Sequence, residues 1–177
     1  MSQIYFIIDP TNLKSFFIKF LLSCTVLFLL NSCSNNEEEQ TAPIKENVII
    51  DYQYSANETE LVNLINNYRI SLGLNILILD NYVSKISDGH GEYMISKNQI
   101  SHDLFEIRYK NIVETQNAKK VAENVAYKFN SSQSTLNAWI NSPEHKVNLQ
   151  GDFTHFGISV KTNSNGVKFY TNIFMKK

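Results

Sequence analysis

Four histidines, His90, His102, His145 and His155, are the side chains of this 177-residue chain best suited to ligating a metal or moving a proton near neutral pH. Their surroundings differ. His145 closes "WINSPEH" (139–145), where Ser142 can cap a helical turn and Pro143 suits its first position. His155 precedes "FGISV", which alternates like a strand, so its plain reading is a residue that positions the strand entry. His90 falls on an apolar stripe with Val83, Ile86 and Met94, which suits a core or core-edge role. The segment "HGEYM" sets His90 and Glu92 two residues apart, on different helix faces, so the HExxH helix of zinc proteases is absent there. His102 stands in "ISH", ahead of a segment that Asp103 would cap, with Glu106 at the capping-box position.

The elements that must hold these residues can be read from spacing. From Asn57, the apolar positions Leu61, Leu64, Ile65 and Tyr68 recur at helical intervals, with Gly73 as a stop. "LNILILD" (74–80) is a short apolar connector whose Asp80 can cap a second helix. "SHDLFEIRYKNI" begins a third helical piece, while "VAENVAYKF" fits either an extended or a helical form. "STLNAWINS" predicts a fourth helix with Leu136, Trp139 and Ile140 facing a core, followed by the Pro143 turn and Gly151. At the C-terminus "FGISVKT" and "VKFYTNIFM" flank "NSNG", where Asn165-Gly166 can supply the positive φ angles of a tight hairpin. Helices first and strands last predict an α+β sandwich, with helices covering the apolar hairpin face of Phe156, Ile158 and Val160.

With a formal charge of −1 and 43% hydrophobic residues, the composition is that of one globular domain and implies no electrostatic partner. Lys and Arg are scattered among acids, which argues against nucleic-acid binding. Before that domain, Lys14 and Lys19 precede the apolar run "FLLSCTVLFLL" (20–30), too short to span a membrane and right for a secretory signal. The run leads into Leu30-Asn31-Ser32-Cys33, which resembles a bacterial lipoprotein signal: residues 1–32 would be removed and Cys33 acylated. The alternative is a plain secretory signal with an incidental cysteine. Cleavage before Cys33 also removes Cys24, so no intrachain disulfide is possible and the domain must rely on its core. Residues 33–56, polar and containing Glu37-Glu38-Glu39, read as a tether, and 57–177 as the folded domain.

Four signatures stand in order: "ISH" (100–102), "AENVAY" (122–127), "WINSPEH" (139–145) and "THFGISV" (154–160). Together with "LVNLINNYRISLGL" (61–74) and "HGEYM" (90–94), they resemble the bacterial branch of the CAP superfamily of cysteine-rich secretory, antigen 5 and pathogenesis-related proteins. The resemblance covers residues 57–177 and implies an α-β-α sandwich with a C-terminal β-hairpin and a cleft. In several members that cleft holds two histidines and two glutamates, in some with a divalent metal. Carried over, the histidines are His102 and His145 and the first glutamate is Glu123, with Ala122 in place of the family's glycine. The second glutamate of the eukaryotic branch stands three residues after the helix tryptophan; here that position is Ser142.

As third residue of a helical turn, His145 lies near the positive end of the peptide dipoles, which disfavours imidazolium and leaves a ring nitrogen free to ligate. Two imidazoles and a carboxylate are ligand types that zinc accepts, and Glu123 could serve as base if only the histidines bind; a hydrogen-bonded polar cluster is the alternative. The lipoprotein-like signal implies an extracytoplasmic, membrane-anchored protein, and the family resemblance implies that it binds a lipid, sterol or peptide. A metal-dependent hydrolase of peptides or envelope polymers, and a non-catalytic surface interaction protein, are the rival readings.

Overall fold

The computed structural model describes residues 50–177, so the apolar leader, Cys33 and most of the tether lie outside the described residues. Elements follow in the order α1 (Ala56–Ser71), β1 (Ile78–Leu79), α2 (Asn81–Lys97), α3 (Phe105–Gln116), β2 (Lys120–Tyr127), α4 (Ser132–Asn141), α5 (Pro143–Leu149), β3 (His155–Thr162) and β4 (Lys168–Lys176). The packed part reaches back beyond Asn57: Tyr52 donates to Glu58, Tyr54 to Asn81, and Ser55 forms a capping box with Glu58 at the start of α1. Asp80 caps α2 through the Val83 amide, as its position predicts.

One four-stranded sheet, ordered β1-β3-β4-β2, forms the middle layer. Along β2, antiparallel to β4, Val121, Glu123 and Val125 face one side while Ala122, Asn124 and Ala126 face the other. On the first side α2 and α3 bring Val83, Met94 and Ile112 against Val121, Val125, Phe169, Ile173 and Met175. On the second side α1, α4 and α5 bring Leu61, Ile65, Leu136, Trp139 and Leu149 against Phe156, Ile158, Tyr170 and Phe174. This is the expected α-β-α sandwich, and the segment "VAENVAY" resolves as a strand covered on both faces. Gly157 allows α2 to lie directly on β3, because a Cβ there would collide with the Val83–Ser84 backbone.

Both sheet edges are closed by side chains. Strand β1 pairs only with His155 and Phe156 of β3, and beyond it the amides of Ile158 and Val160 donate to Ser84 Oγ (3.2 Å) and Glu58 Oε1 (2.9 Å). On the opposite edge the β2 carbonyls of Val125 and Glu123 accept from Trp139 Nε1 (3.1 Å) and Asn148 Nδ2 (3.5 Å). An edge strand left with unpaired polar groups would invite pairing with another chain. Trp139, 1% exposed, thus anchors the core and seals an edge with the same ring.

Two local expectations are corrected. No Asp103–Glu106 capping box forms: α3 starts at Phe105, and Leu104 stands at the N-cap in the left-handed region (φ 61°) with no side-chain cap bond. Asp103 is instead drawn into tertiary contacts, its carboxylate accepting from Tyr93 Oη and its carbonyl from Arg108 Nη1. In the hairpin only Gly166 takes a positive φ, +77°, not the Asn165-Gly166 pair. The Asn163 side chain accepts from the amides of Asn165 and Val167, and this asparagine-built turn is longer than a two-residue one.

Candidate functional site: a buried carboxylate behind two imidazoles

Glu123 sits in mid-strand on the α2/α3 face of the sheet, its side chain only 1% exposed. A carboxylate there needs partners, because an unpaired buried charge costs several kcal/mol. Arg108, one turn into α3, supplies a two-pronged one: its Nε donates to Oε2 at 2.8 Å and its Nη2 to Oε1 at 2.7 Å. Oε1 also meets His102 Nδ1 at 2.8 Å. Burial alone would raise the Glu123 pKa, but the hydrogen bonds from His102 and Arg108 and the guanidinium charge outweigh it and hold it below the ordinary carboxylate value. Glu123 is therefore an anion that only accepts, so His102 donates to it through Nδ1, and in the neutral ring Nε2 is the nitrogen with the lone pair.

His145 is the third residue of α5, where the sequence places it. Its Nδ1 lies 2.7 Å from Ser142 Oγ. The Ser142 hydroxyl is spent on the imidazole rather than on capping the α5 backbone. The His145 carbonyl accepts from Asn124 Nδ2, which ties the start of α5 to β2 one residue from Glu123. Burial lowers the His145 pKa and the nearby His102 imidazole lowers it further, against a weaker opposing pull from Glu144. The structure thus brings His102, Glu123 and His145 into one neighbourhood, with each imidazole held through Nδ1.

The other two histidines keep the roles their positions suggest. His155 opens β3, with Nδ1 2.8 Å from its neighbour Thr154 Oγ1, at the strand entry. His90 is buried in the core, its Nε2 2.8 Å from the Ser101 carbonyl and 3.8 Å from Glu123 Oε1. Since a carbonyl only accepts, Nε2 carries the His90 proton; burial holds this ring neutral despite the adjacent carboxylate. Cys33 lies outside the described residues.

Among the described residues no group of three or more His, Cys, Asp and Glu side chains is placed to hold a metal ion. The chemistry of the set shows why: both Glu123 oxygens are occupied by Arg108 and His102, so the carboxylate does not serve as a third ligand. The remaining donors are the Nε2 atoms of His102 and His145. Two imidazoles with a carboxylate and a hydroxyl behind them resemble the outer-shell pattern of histidine metal sites, and would leave an ion's other ligands to water or a bound molecule. They do not fit zinc held by three protein ligands.

Sequence reasoning missed Arg108 and Ser142 as site residues. Arg108 carried a signal: Phe105, Arg108 and Ile112 fall on one helical stripe, and a cation among core-facing positions points to a buried partner. Ser142 carried two superposed signals, helix cap and missing glutamate, and only the side-chain geometry separates them.

Residues 62–174 match the sequence profile of CAP, the cysteine-rich secretory protein family. Over 130 residues the chain is 30% identical to the uncharacterized membrane protein YlbC of Bacillus subtilis, covering 70% of this chain and 35% of that one, so it spans about a third of that relative's length. Among solved structures it resembles an outer surface protein of Borrelia burgdorferi (TM-score 0.61, 23% identity, 67% of this chain and 91% of that one). It also resembles an extracellular SCP-domain protein of Bacillus anthracis (TM-score 0.59, 24% identity, 72% and 45% of the two chains). The profile spans well over half of the chain and both solved structures share its fold; although no cysteine lies within the matched residues, the chain belongs to the cysteine-rich secretory protein family.

Proposed function

We propose that this protein is an extracytoplasmic lipoprotein, anchored through acylated Cys33, whose CAP domain binds a small lipid, sterol or peptide ligand at His102 and His145 without hydrolysing it. The observation that carries the binding reading is the Arg108 fork on Glu123. A general base must be free to take up a proton and is most effective with a pKa near the working pH. Glu123 has both oxygens tied and its pKa pushed the opposite way. On this reading Glu123 is a poor candidate base, and the two Nε2 atoms would hold a ligand directly or through a divalent ion such as zinc.

Export and anchoring rest on the apolar run 20–30 and on Leu30-Asn31-Ser32-Cys33. Names of relatives as a membrane protein, an outer surface protein and an extracellular protein agree with that placement. An apolar component of the ligand is supported by Leu104 and Ile107, 55% and 56% exposed close after His102 in the chain. Calorimetric titration of the full-length protein in detergent with zinc, at mildly alkaline pH, tests the centre of the site. One site is expected, lost in His102→Ala and in His145→Ala and kept in His155→Ala. Turnover of a peptide or envelope-polymer substrate that depends on His102 would overturn the binding reading in favour of the hydrolase.

A further inference from the structure

His102 is half-exposed, with 52% of its side chain open to solvent, yet the backbone on both sides of it is fastened from within the core. The carbonyl of Ser101 accepts from His90 Nε2 at 2.8 Å, and the carbonyl of Asp103 accepts from Arg108 Nη1 at 2.7 Å. His102's own carbonyl accepts from the Phe105 amide at 3.1 Å. Its ring is fixed by Glu123, which Arg108 holds by two further bonds. One guanidinium therefore controls the turn and the carboxylate that the turn's imidazole meets. Leu104, next along, is held at φ 61°, a conformation that a leucine seldom adopts unless its surroundings impose it.

We propose that Arg108 and His90 are positioning residues: together they clamp the 101–104 turn and fix His102 as its Nδ1–H tautomer, with the Nε2 lone pair turned toward the ligand site. The chemistry is specific to these groups. Arg108 is the one side chain here with enough donors to serve both Glu123 oxygens and the Asp103 carbonyl at once; a lysine supplies the charge without the fork. His90 has one ring nitrogen to donate to Ser101, and its other, Nδ1, is a buried atom without a hydrogen-bond partner, a cost that the contact to Ser101 must offset. Preorganisation of this kind removes the ordering cost from the binding step.

The inference rests on the reading of His102 as a ligand-facing residue, but its principal test needs no ligand. Nitrogen-15 spectra of the histidine-labelled full-length protein in detergent, at about pH 8.5, report which ring nitrogen carries the proton, because this lies well above the ordinary imidazole pKa. His102 is expected as Nδ1–H and His90 as Nε2–H, each assigned by loss of its signal on substitution. Arg108→Gln should shift His102 toward a tautomer mixture and weaken zinc binding by roughly 10–100-fold, the usual cost of losing an outer-shell partner, with Arg108→Lys intermediate. His90→Gln, which can still donate to Ser101, should keep the His102 signature, and His90→Leu should lose it. Wild-type His102 found as Nε2–H overturns the proposal, as does a folded Arg108→Gln protein with tautomer and zinc affinity unchanged. If Arg108→Gln does not fold, the wild-type spectrum and Arg108→Lys decide. The expected tautomers without any zinc binding would support the clamp and count against the metal-assisted form of the site alone.

Discussion

Replacing Glu123 by Gln removes one charge and almost no volume, yet the structure predicts that it destabilises the fold substantially. Three donors converge on the Glu123 carboxylate: Arg108 Nε, Arg108 Nη2 and His102 Nδ1, at 2.7 to 2.8 Å. A glutamine offers one acceptor oxygen and one amide nitrogen, so in either orientation at least one of these donors faces another donor. The guanidinium, 10% exposed, also loses its counter-charge. Breaking one side of a buried ion pair in this way costs about 3–5 kcal/mol, a large part of the roughly 5–15 kcal/mol by which an ordinary domain is stable. Removing both sides is different: Arg108→Met with Glu123→Leu leaves no orphaned charge and should recover most of the loss. Urea denaturation at about pH 7 compares Glu123→Gln with the wild type, and Arg108→Met, Glu123→Leu and their double variant close the cycle. A Glu123→Gln protein within about 1 kcal/mol of wild type would refute the argument, because the fork would then not be holding a buried charge. If it stands, loss of function in Glu123→Gln reports the fold and the His102 turn, and is no sign of a catalytic base.

Trp139→Ala should cost roughly 3–5 kcal/mol by chemical denaturation, since it empties a fully buried aromatic site, and Trp139→Phe, which loses the bond to the Val125 carbonyl but keeps one ring, should cost less. The folded-state pKa values of His90 and His145 both lie below the ordinary imidazole value, so the unfolded chain binds more protons just below about pH 6.5. Their contribution to stability is therefore complete above about pH 6.5 and lost as pH falls through the folded values; the thermal midpoint should drop between about pH 7 and 5, and less steeply in His145→Asn. Glu123 adds a second loss at lower pH, below the unfolded carboxylate value of about 4.3. Intact-mass analysis of the native protein should find Cys33 acylated at the new N-terminus, and Cys33→Ala should leave the particulate fraction; an unmodified Cys33 would remove the anchor from the proposal.

What was legible in the sequence follows from where the physics is local. Leu61 and Ile65, or Leu136 and Trp139, announce a buried face by their spacing, and Asp80 announces a helix start, because each requires only neighbours within a turn or two. The order of the four motifs carried the sandwich and the neighbourhood of His102, Glu123 and His145. The Asp103–Glu106 box failed for the converse reason. Its residue types fit a local cap, but Tyr93 and Arg108 approach from elsewhere and take Asp103 for themselves. Arg108 was missed as a partner of Glu123 because the two are 15 residues apart on different elements, and nothing in either segment names the other.

Ser142 behind His145 and Glu123 behind His102 hold their imidazoles at similar distance but with different chemistry. A carboxylate behind an imidazole fixes the proton on the near nitrogen and stabilises the charged ring, as Glu123 does behind His102 on the first count. A hydroxyl holds the His145 ring at 2.7 Å but either donates to Nδ1 or accepts from it, and it brings no charge. In the neutral ring His102 therefore presents its lone pair at Nε2, whereas a neutral His145 presents at Nε2 either a lone pair or an N–H according to the molecule that arrives. With burial and the His102 imidazole both disfavouring protonation, that choice is made by a neutral ring. Such a pair suits a ligand group that donates to one imidazole and accepts from the other as readily as it suits an ion between two lone pairs. On the proposed binding role a divalent ion would be one occupant of a more permissive site, as such a role asks and a hydrolytic one does not.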